Sequence, residues 1–305
     1  MRWQVPRDAA AGSAALALLQ ERFPALADPA ATPLPARFAA GEIVDAHGRA
    51  WAATDPVAPG EELWFHRELR PEAVPAAELT ILHRDEHLLV IDKPHEIATM
   101  PRGAHVLASA LVRLRRATGI ETLVPLHRLD RRTAGVLAFG IRPEERPAYQ
   151  QLFARREVDK SYEALVVPEP SSSLPRRPGE RRTLRDRLDK RRGELTTRVL
   201  PGEPNAITAL EVLAEGGGAV RMGLRPRTGR THQLRAQLAS RGAPILGEDL
   251  YWPTDRARPP APLWPEGLPL QLLARHLAFV DPVTGAPREF RSAQELTAGP
   301  RTLGP

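Results

Sequence analysis

The chain has no cysteine in its 305 residues. Disulfides, thiolate metal sites and cysteine nucleophiles are therefore excluded at once. Lysine is nearly absent too: only Lys93, Lys160 and Lys190 occur, so 40 of the 43 basic residues are arginine. Aromatic residues make up 5%. No run approaches the roughly 18 consecutive apolar residues of a membrane-spanning helix. The opening MRWQVPRDAAAGSAALALLQERF has the basic start of a secretory leader. Its apolar run is broken by Ser13 and followed by Gln20-Glu21-Arg22 without a small-x-small cleavage site, so it is expected to be an amphipathic helix of a cytoplasmic protein. No Gly-x-Ser-x-Gly elbow is found, and the run Gly216-Gly217-Gly218 lacks the Gly-Lys-Ser/Thr ending of a phosphate loop. The nine histidines are scattered, so no metal site is expected.

What is present is ordinary for a globular protein: 42% hydrophobic and 26% charged residues. At about 100–200 residues per domain, the length fits two domains. Proline-punctuated stretches at 28–37 and 70–77 place a boundary near residue 76, giving a small N-terminal module (1–75) and a larger C-terminal domain (76–305). The net charge is +6, and all of it falls between Ser171 and Arg192, where nine basic residues face three acidic ones. A solvated basic loop and a polyanion contact both fit that pattern.

In the larger part, LTILHRDEHLLVIDKP fits two strands around Asp85-Glu86. Leu107, Leu111 and Leu114 recur at helical spacing up to Gly119. GVLAFGI and YEALVVP read as strands, RPEERPAYQQLFARREV as a helix, and ITALEVLAEGGGAVRMGLRP as a hairpin with the glycines at its tip. THQLRAQLASRG reads as a helix with Thr231 as N-cap and Gly242 as its stop. Strands outnumber helices without regular βαβ alternation, so the expected class is α+β around a mixed, mainly antiparallel sheet.

Two polar clusters lie beside apolar strands. LHRLDRRTAG (126–135) sets Asp130 among Arg128, Arg131 and Arg132, and RPRTGRTHQLR (225–235) bridges the hairpin and the last helix. Carboxylates near arginine generally stay ionised and can act as nucleophile or base; a structural ion pair fits the same pattern.

At these residues the chain resembles the RluA-type pseudouridine synthases. HRLDRRTAGVLAFG is similar to that family's central His-Arg-Leu-Asp-x-x-Thr-Ser-Gly motif. DEHLLVIDKP resembles its opening strand, VDKSYEALV its Lys-x-Tyr-x-Ala block, TGRTHQLRAQLASRGAPILGEDLY its Thr-Gly-Arg-x-His-Gln-Leu-Arg block, and LLARHLAFVDPVTG its closing strand. Together they span roughly residues 79–292.

The resemblance implies a cofactor-free isomerase that breaks the N-glycosidic bond of a uridine in RNA and rejoins the ribose to C5. It implies Asp130 as the obligatory aspartate, Tyr162 as the tyrosine that stacks on the base and handles the C5 proton, and Arg235 as the basic partner of the aspartate. Arg128 corresponds to an arginine that fills the space left by the flipped nucleotide, and His127, Thr133, Lys93 and Arg230 to neighbouring substrate-binding positions. An extruded base needs an aromatic face to replace its lost stacking. Lys93 and Lys160 both fall at lysine positions of the family, where an ammonium rather than a guanidinium is wanted.

The implied partner is a structured RNA, ribosomal in preference to transfer RNA, with no membrane, no obligate protein partner and a monomeric chain. A non-catalytic RNA-binding or folding-helper protein on the same scaffold is the alternative. Ala134 replaces the family's usual Ser, and His95-Glu96-Ile97 its usual Ala-Gly-Leu. Residues 33–67 resemble a degenerate S4-like RNA-binding module lacking the basic helix face; an unrelated small domain is the other reading.

Overall fold

Strands buried on one face or on both organise the computed structural model. It describes residues 1–8, 12–27, 31–66, 72, 74–101, 106–251 and 267–296. The chain divides into two compact units, Met1–Glu72 and Ala73–Pro305.

In the first unit, strands β1 (Arg2–Gln4), β5 (Glu62–Phe65) and β3 (Ile43–Val44) form one small sheet, and β2 (Ser13–Ala14) pairs with β4 (Pro56–Val57). Helices α1 (Ala15–Arg22) and α2 (Leu34–Ala39) close a core around Leu19, Ile43, Val57 and Leu63. The expected N-terminal helix is thus shorter than its sequence pattern: Arg2–Gln4 pairs with β5 instead.

The second unit is built on an 11-stranded sheet. In chain order its elements are β6 (Thr80–Arg84), β7 (Leu88–Lys93), α3 (Ala110–Thr118), β8 (Val124–Pro125), β9 (Ala134–Gly140), α4 (Arg146–Ala154), β10 (Asp159–Val166), β11 (Arg181–Asp189), β12 (Arg198–Leu200), β13 (Ala206–Gly216), β14 (Ala219–Pro226), α5 (Gln233–Ala239), β15 (Leu272–Val280) and β16 (Pro287–Arg291). The strand order is β12-β11-β13-β14-β10-β15-β9-β7-β6, with β16 on β15 and β8 on β9. Among the described residues only β9 and β15 pair in parallel; every other pairing is antiparallel. This is the expected α+β class with a mixed, mainly antiparallel sheet. One apolar cluster joins β10, β13 and β14 to α5 through Leu224, Leu210, Leu234 and Leu238. A second joins β7 and β9 to α3 through Ile91, Leu137, Leu111 and Leu114, and Tyr162 packs against both.

Two local features position the site. Gly135 has φ +112°, and a Cβ there would meet the Ala274 carbonyl oxygen at 2.2 Å, so only glycine lets β9 approach β15. Ala274 stands opposite both Gly135 and Tyr162. The sheet therefore sets Tyr162 about 10 Å, two strand spacings, from the strand that follows Asp130.

The second feature is a split. Tyr162↔Leu224 ends the β10–β14 pairing; beyond it, Asp159–Ser161 stays with β15 and Arg225–Pro226 stays with β13. A bulge between Ser161 and Tyr162 marks the parting. The strands diverge there, and Tyr162 sits at the apex. The basic stretch differs from a simple loop: its second half is β11, an interior strand burying Leu184 and Leu188.

Candidate active site

The gap between the diverging strands opens a cleft of about 1290 Å³. One wall carries Phe153, Arg156, Asp159 and Lys160, the other Ala209, Arg225, Pro226 and Arg227, and the floor carries Tyr162 and Leu272. The 125–130 segment, Thr133 and the start of α5 complete it. Of the residues singled out from sequence, Asp130, Tyr162, Arg235, Arg128, His127, Thr133 and Arg230 all line this cleft. Lys93 does not. Seven cationic side chains (Arg128, Arg156, Lys160, Arg225, Arg227, Arg230 and Arg235) face two carboxylates, Asp130 and Asp159. Such a surplus suits a polyanion.

The peptide carrying Asp130 is clamped on both sides. The Thr99 hydroxyl donates to the Leu129 carbonyl (2.7 Å) and accepts from the Leu129 N–H (3.1 Å). Lys93, wholly buried, donates to the carbonyls of Pro94 (2.9 Å), Ile97 (2.9 Å) and Arg131 (3.2 Å). The Thr133 N–H closes a turn on the Asp130 carbonyl at 3.0 Å. Where a substrate-binding lysine is expected, all three protons of Lys93 are engaged on backbone carbonyls. Burial pushes this ammonium down to about 7, opposed by the charges of Asp130 and Glu96. Its three carbonyl acceptors are all served only in the protonated form.

Arginine neighbours in sequence are not the partners of Asp130 in space. Arg131 pairs with Glu96 (2.5 Å), and Arg132 with Glu96 (2.9 Å) and Asp249 (2.8 Å). Nor does Arg235 bond Asp130 directly, as its assignment as partner implied. It is buried, with Nε on Glu248 at 2.8 Å and a second nitrogen on Glu248 and on Asp249 (2.9 Å). Burial alone would lower its pKa, but the Glu248 bonds and charge, then Asp130 and Asp249, carry it above its ordinary value. Arg235 is thus a permanently charged group held by acids and felt by Asp130 at a distance.

The group nearest Asp130 in charge terms is His232, with Nε2 3.8 Å from the carboxylate. Its Nδ1 meets the Tyr251 hydroxyl at 2.7 Å, and that hydroxyl accepts from the Thr197 N–H at 2.7 Å. His232 occupies the left-handed region (φ 52°) at the start of α5, which corrects the expected Thr231 cap. Burial holds its imidazole below the usual range, with Arg235 and Lys190 adding to that and Asp130 and Glu248 opposing. A strained non-glycine backbone beside a reacting group is characteristic of functional sites. The sequence gives His232 no role of its own, because neither the backbone strain nor the Tyr251 contact has a local signature.

The Tyr162 phenol is pushed up, first by burial and then by the Asp130 charge, so it is protonated at neutral pH. His127 stacks on Phe153 (5.1 Å, 18°) and its Nε2 accepts from the Ala138 N–H at 3.2 Å. Arg230 is exposed and donates to the Asn205 carbonyl at 3.2 Å, while exposed Arg128 has no ion-pair partner among the described residues.

The family model described as RNA pseudouridylate synthase matches residues 87–240, which hold Asp130, Tyr162 and Arg235. The chain belongs to this family. It is 31% identical over 71% of its length to an uncharacterised RNA pseudouridine synthase of Synechocystis, covering 73% of that protein. It is 30% identical over 72% of its length to the dual-specificity RNA pseudouridine synthase RluA of Haemophilus influenzae, covering 94% of it. Among solved structures, human RNA pseudouridylate synthase domain containing 1 shares the fold, with TM-score 0.56, 24% identity and coverage of 73% of this chain and 86% of that one. The protein is thus an RNA pseudouridine synthase. No helix among the described residues is long and apolar enough to cross a membrane.

Proposed function

We propose that the synthase isomerises specific uridines of ribosomal RNA in the cytoplasm, with Asp130 as the reacting carboxylate. One observation carries this reading. Asp130 and Tyr162, on separate elements, converge in one cationic cleft, and the carboxylate's charge reaches Tyr162, His232, Arg235 and Lys93. The net chemistry breaks the N1–C1′ bond, forms a C5–C1′ bond, removes the proton from C5 and places one on N1. Asp130 acts at the reacting nucleoside. Tyr162 supplies the aromatic face on which the extruded uracil stacks, and its hydroxyl, protonated at rest, sits where the C5 proton is handled. Arg235 sets a fixed positive charge behind Asp130. Arg128, free of carboxylates, takes the space the uridine leaves. His127 and Thr133 shape the wall, and Arg230 holds the backbone.

Asp130→Asn keeps the side chain's shape and removes its charge. Pseudouridine formation should fall by on the order of 10³-fold or more while RNA binding persists. Normal turnover by a folded Asn variant would remove Asp130 from the reaction. Tyr162→Phe keeps the stacking face; turnover should drop about 10²-fold with little change in binding if the hydroxyl carries the proton, and parent-like turnover would leave it a stacking platform alone.

Ribosomal RNA is supported by a relative named ribosomal large subunit pseudouridine synthase D from Xylella fastidiosa, 31% identical over 80% of this chain and covering 72% of that protein. Mapping pseudouridines across all cellular RNA with and without the gene tests the target. Sites lost only from transfer RNA would overturn it.

A further inference from the structure

The cleft's cationic wall does not stop at its rim. On β14, Arg225 stands opposite Ala209 of β13, which stands opposite Thr183 of β11. One row further, the Arg227 N–H bonds the Ile207 carbonyl, and Ile207 stands opposite Arg185. Arg187 follows two residues on, its side chain lying against Gly202. Directly opposed residues share a sheet face, as do residues two apart. The reverse face buries Leu184, Leu188, Leu210 and Leu224, so these four arginines share the solvent side. All four are exposed and none has a carboxylate partner among the described residues.

What sets these four apart is their placement in adjacent rows of one sheet face that begins in the cleft. Three other arginines of these strands and of the helix end beside them are neutralised: Arg181 by Glu211, Arg221 by Glu163 and Arg241 by Asp186. Unpaired guanidiniums in adjacent rows repel one another unless a polyanion lies across them. Ala209 and Thr183 leave a shallow floor between them. Arg225 and Arg227 already belong to the cleft, while Arg185 and Arg187 lie about 10 Å beyond β14.

We propose that this face is a phosphate track: the RNA strand leaving the cleft crosses β14, β13 and β11 here, and its phosphates meet Arg185 and Arg187. The proposal rests on the reading of the cleft as the RNA-modifying site. It extends that site across two further strands and assigns two arginines of the basic stretch.

The test uses the full chain and oligouridylates of about 20 and about five nucleotides, the shorter filling little more than the cleft. Removing two single-strand phosphate contacts should reduce the slope of log affinity against log salt by about 1.4, equivalent to roughly 25-fold weaker binding at about 0.1 M salt. Arg185→Ala/Arg187→Ala should show this for the long oligomer, with the short one and kcat on saturating RNA unchanged. The double Lys variant should recover most of the affinity, because a phosphate contact needs the charge. Arg84→Ala/Arg291→Ala, exposed arginines off these strands, lowers the net charge equally and should leave the slope unchanged.

Matching slopes and affinities for both double variants would overturn the track. So would an equal loss on the short oligomer, or an alanine loss that lysine does not recover. Unchanged oligouridylate affinity with lost polyglutamate binding would assign the face to an acidic protein and overturn it too. If the alanine pair fails to fold, Arg185→Gln/Arg187→Gln replaces it. Binding and turnover are measured separately, so a chain that binds along the track yet forms no pseudouridine refutes the function and spares the track.

Discussion

Two buried cations feel the charge of Asp130, and the fold treats them in opposite ways. Lys93, at the end of β7, has no carboxylate in direct contact among the described residues; it is solvated by three backbone carbonyls, and burial brings it down to about 7. Arg235, in α5, is gripped by Glu248 and Asp249 and is held above its ordinary value despite its burial. Each choice follows from side-chain geometry. An ammonium offers three protons to converging carbonyls, while a guanidinium offers a planar fork to a carboxylate. The first arrangement fixes the backbone around Asp130; the second fixes a charge beside it. In a chain this rich in arginine, a lysine at residue 93 is explained by a cavity that a guanidinium cannot fill.

The comparison breaks most visibly at Glu248. Glu248→Ala leaves Arg235 buried with only the half-exposed Asp249, and removing one partner of a buried pair costs about 3–5 kcal/mol. For a unit of this size the melting temperature should fall by roughly 10 °C. Glu248→Gln, which keeps an acceptor but loses the charge, should fall between that variant and the parent. Thermal melts of the three proteins decide it; a Glu248→Ala protein as stable as the parent would mean that Asp249 alone holds the guanidinium.

The lysine side is expected to be weaker. Lys93→Met strands three carbonyls in an apolar pocket, a loss of about 3 kcal/mol, and Lys93→Arg should not rescue it. Turnover should suffer more than KM, because the Arg131 carbonyl that Lys93 holds adjoins Asp130. There is also a pH signature. Between pH about 7 and the ordinary lysine value of 10.5, the unfolded chain keeps a proton that the folded chain has released. Stability therefore gains with rising pH across that window, by up to about 1.4 kcal/mol per unit. Lys93→Met should remove that contribution from the stability–pH curve, and an unaltered slope would show that Lys93 stays charged in the fold.

What the sequence could reveal divides along the same line. The β6–β7 pair, the β13–β14 hairpin and α3 ending at Gly119 were all legible, because apolar period and turn glycines act locally. Asp130 and Tyr162 were legible through their motifs, and Gly135 of the first motif has its reason in the close approach to Ala274. The ion pairs were not. Arg131 and Arg132 adjoin Asp130 in sequence yet turn to Glu96 and Asp249, and Arg235 finds Glu248 thirteen residues on. Charge partners are chosen by the packed backbone, which no local pattern encodes. The basic stretch was misleading in a different way: its arginines alternate with Leu184 and Leu188, so a charge-rich run still makes an interior strand.

His127 supplies the smallest and most specific extension of the comparison, a third basic group beside the cleft that the fold keeps neutral. Its Nε2 accepts from the Ala138 N–H, and its ring lies flat against Phe153. The accepted bond requires an unprotonated nitrogen, and packing on Phe153 keeps water from the ring. Burial, and then the nearby Lys160 charge, push it down to about 3. In the unfolded chain the ring takes a proton near pH 6.5, so from about 6.5 down toward 3 the unfolded state binds more protons than the folded one. Stability present above pH 6.5 is then lost as pH falls, at no more than about 1.4 kcal/mol per unit and less where solvent reaches the ring's edge. His127→Asn removes the titrating ring, and its amide oxygen can still accept from Ala138. Urea unfolding of the parent and this variant at intervals between pH 7 and pH 4 should give converging stabilities as acid is added, the parent starting higher and falling faster. Curves that stay parallel throughout would mean the folded imidazole accepts a proton as readily as the unfolded one, and that Phe153 and Ala138 do not hold it neutral.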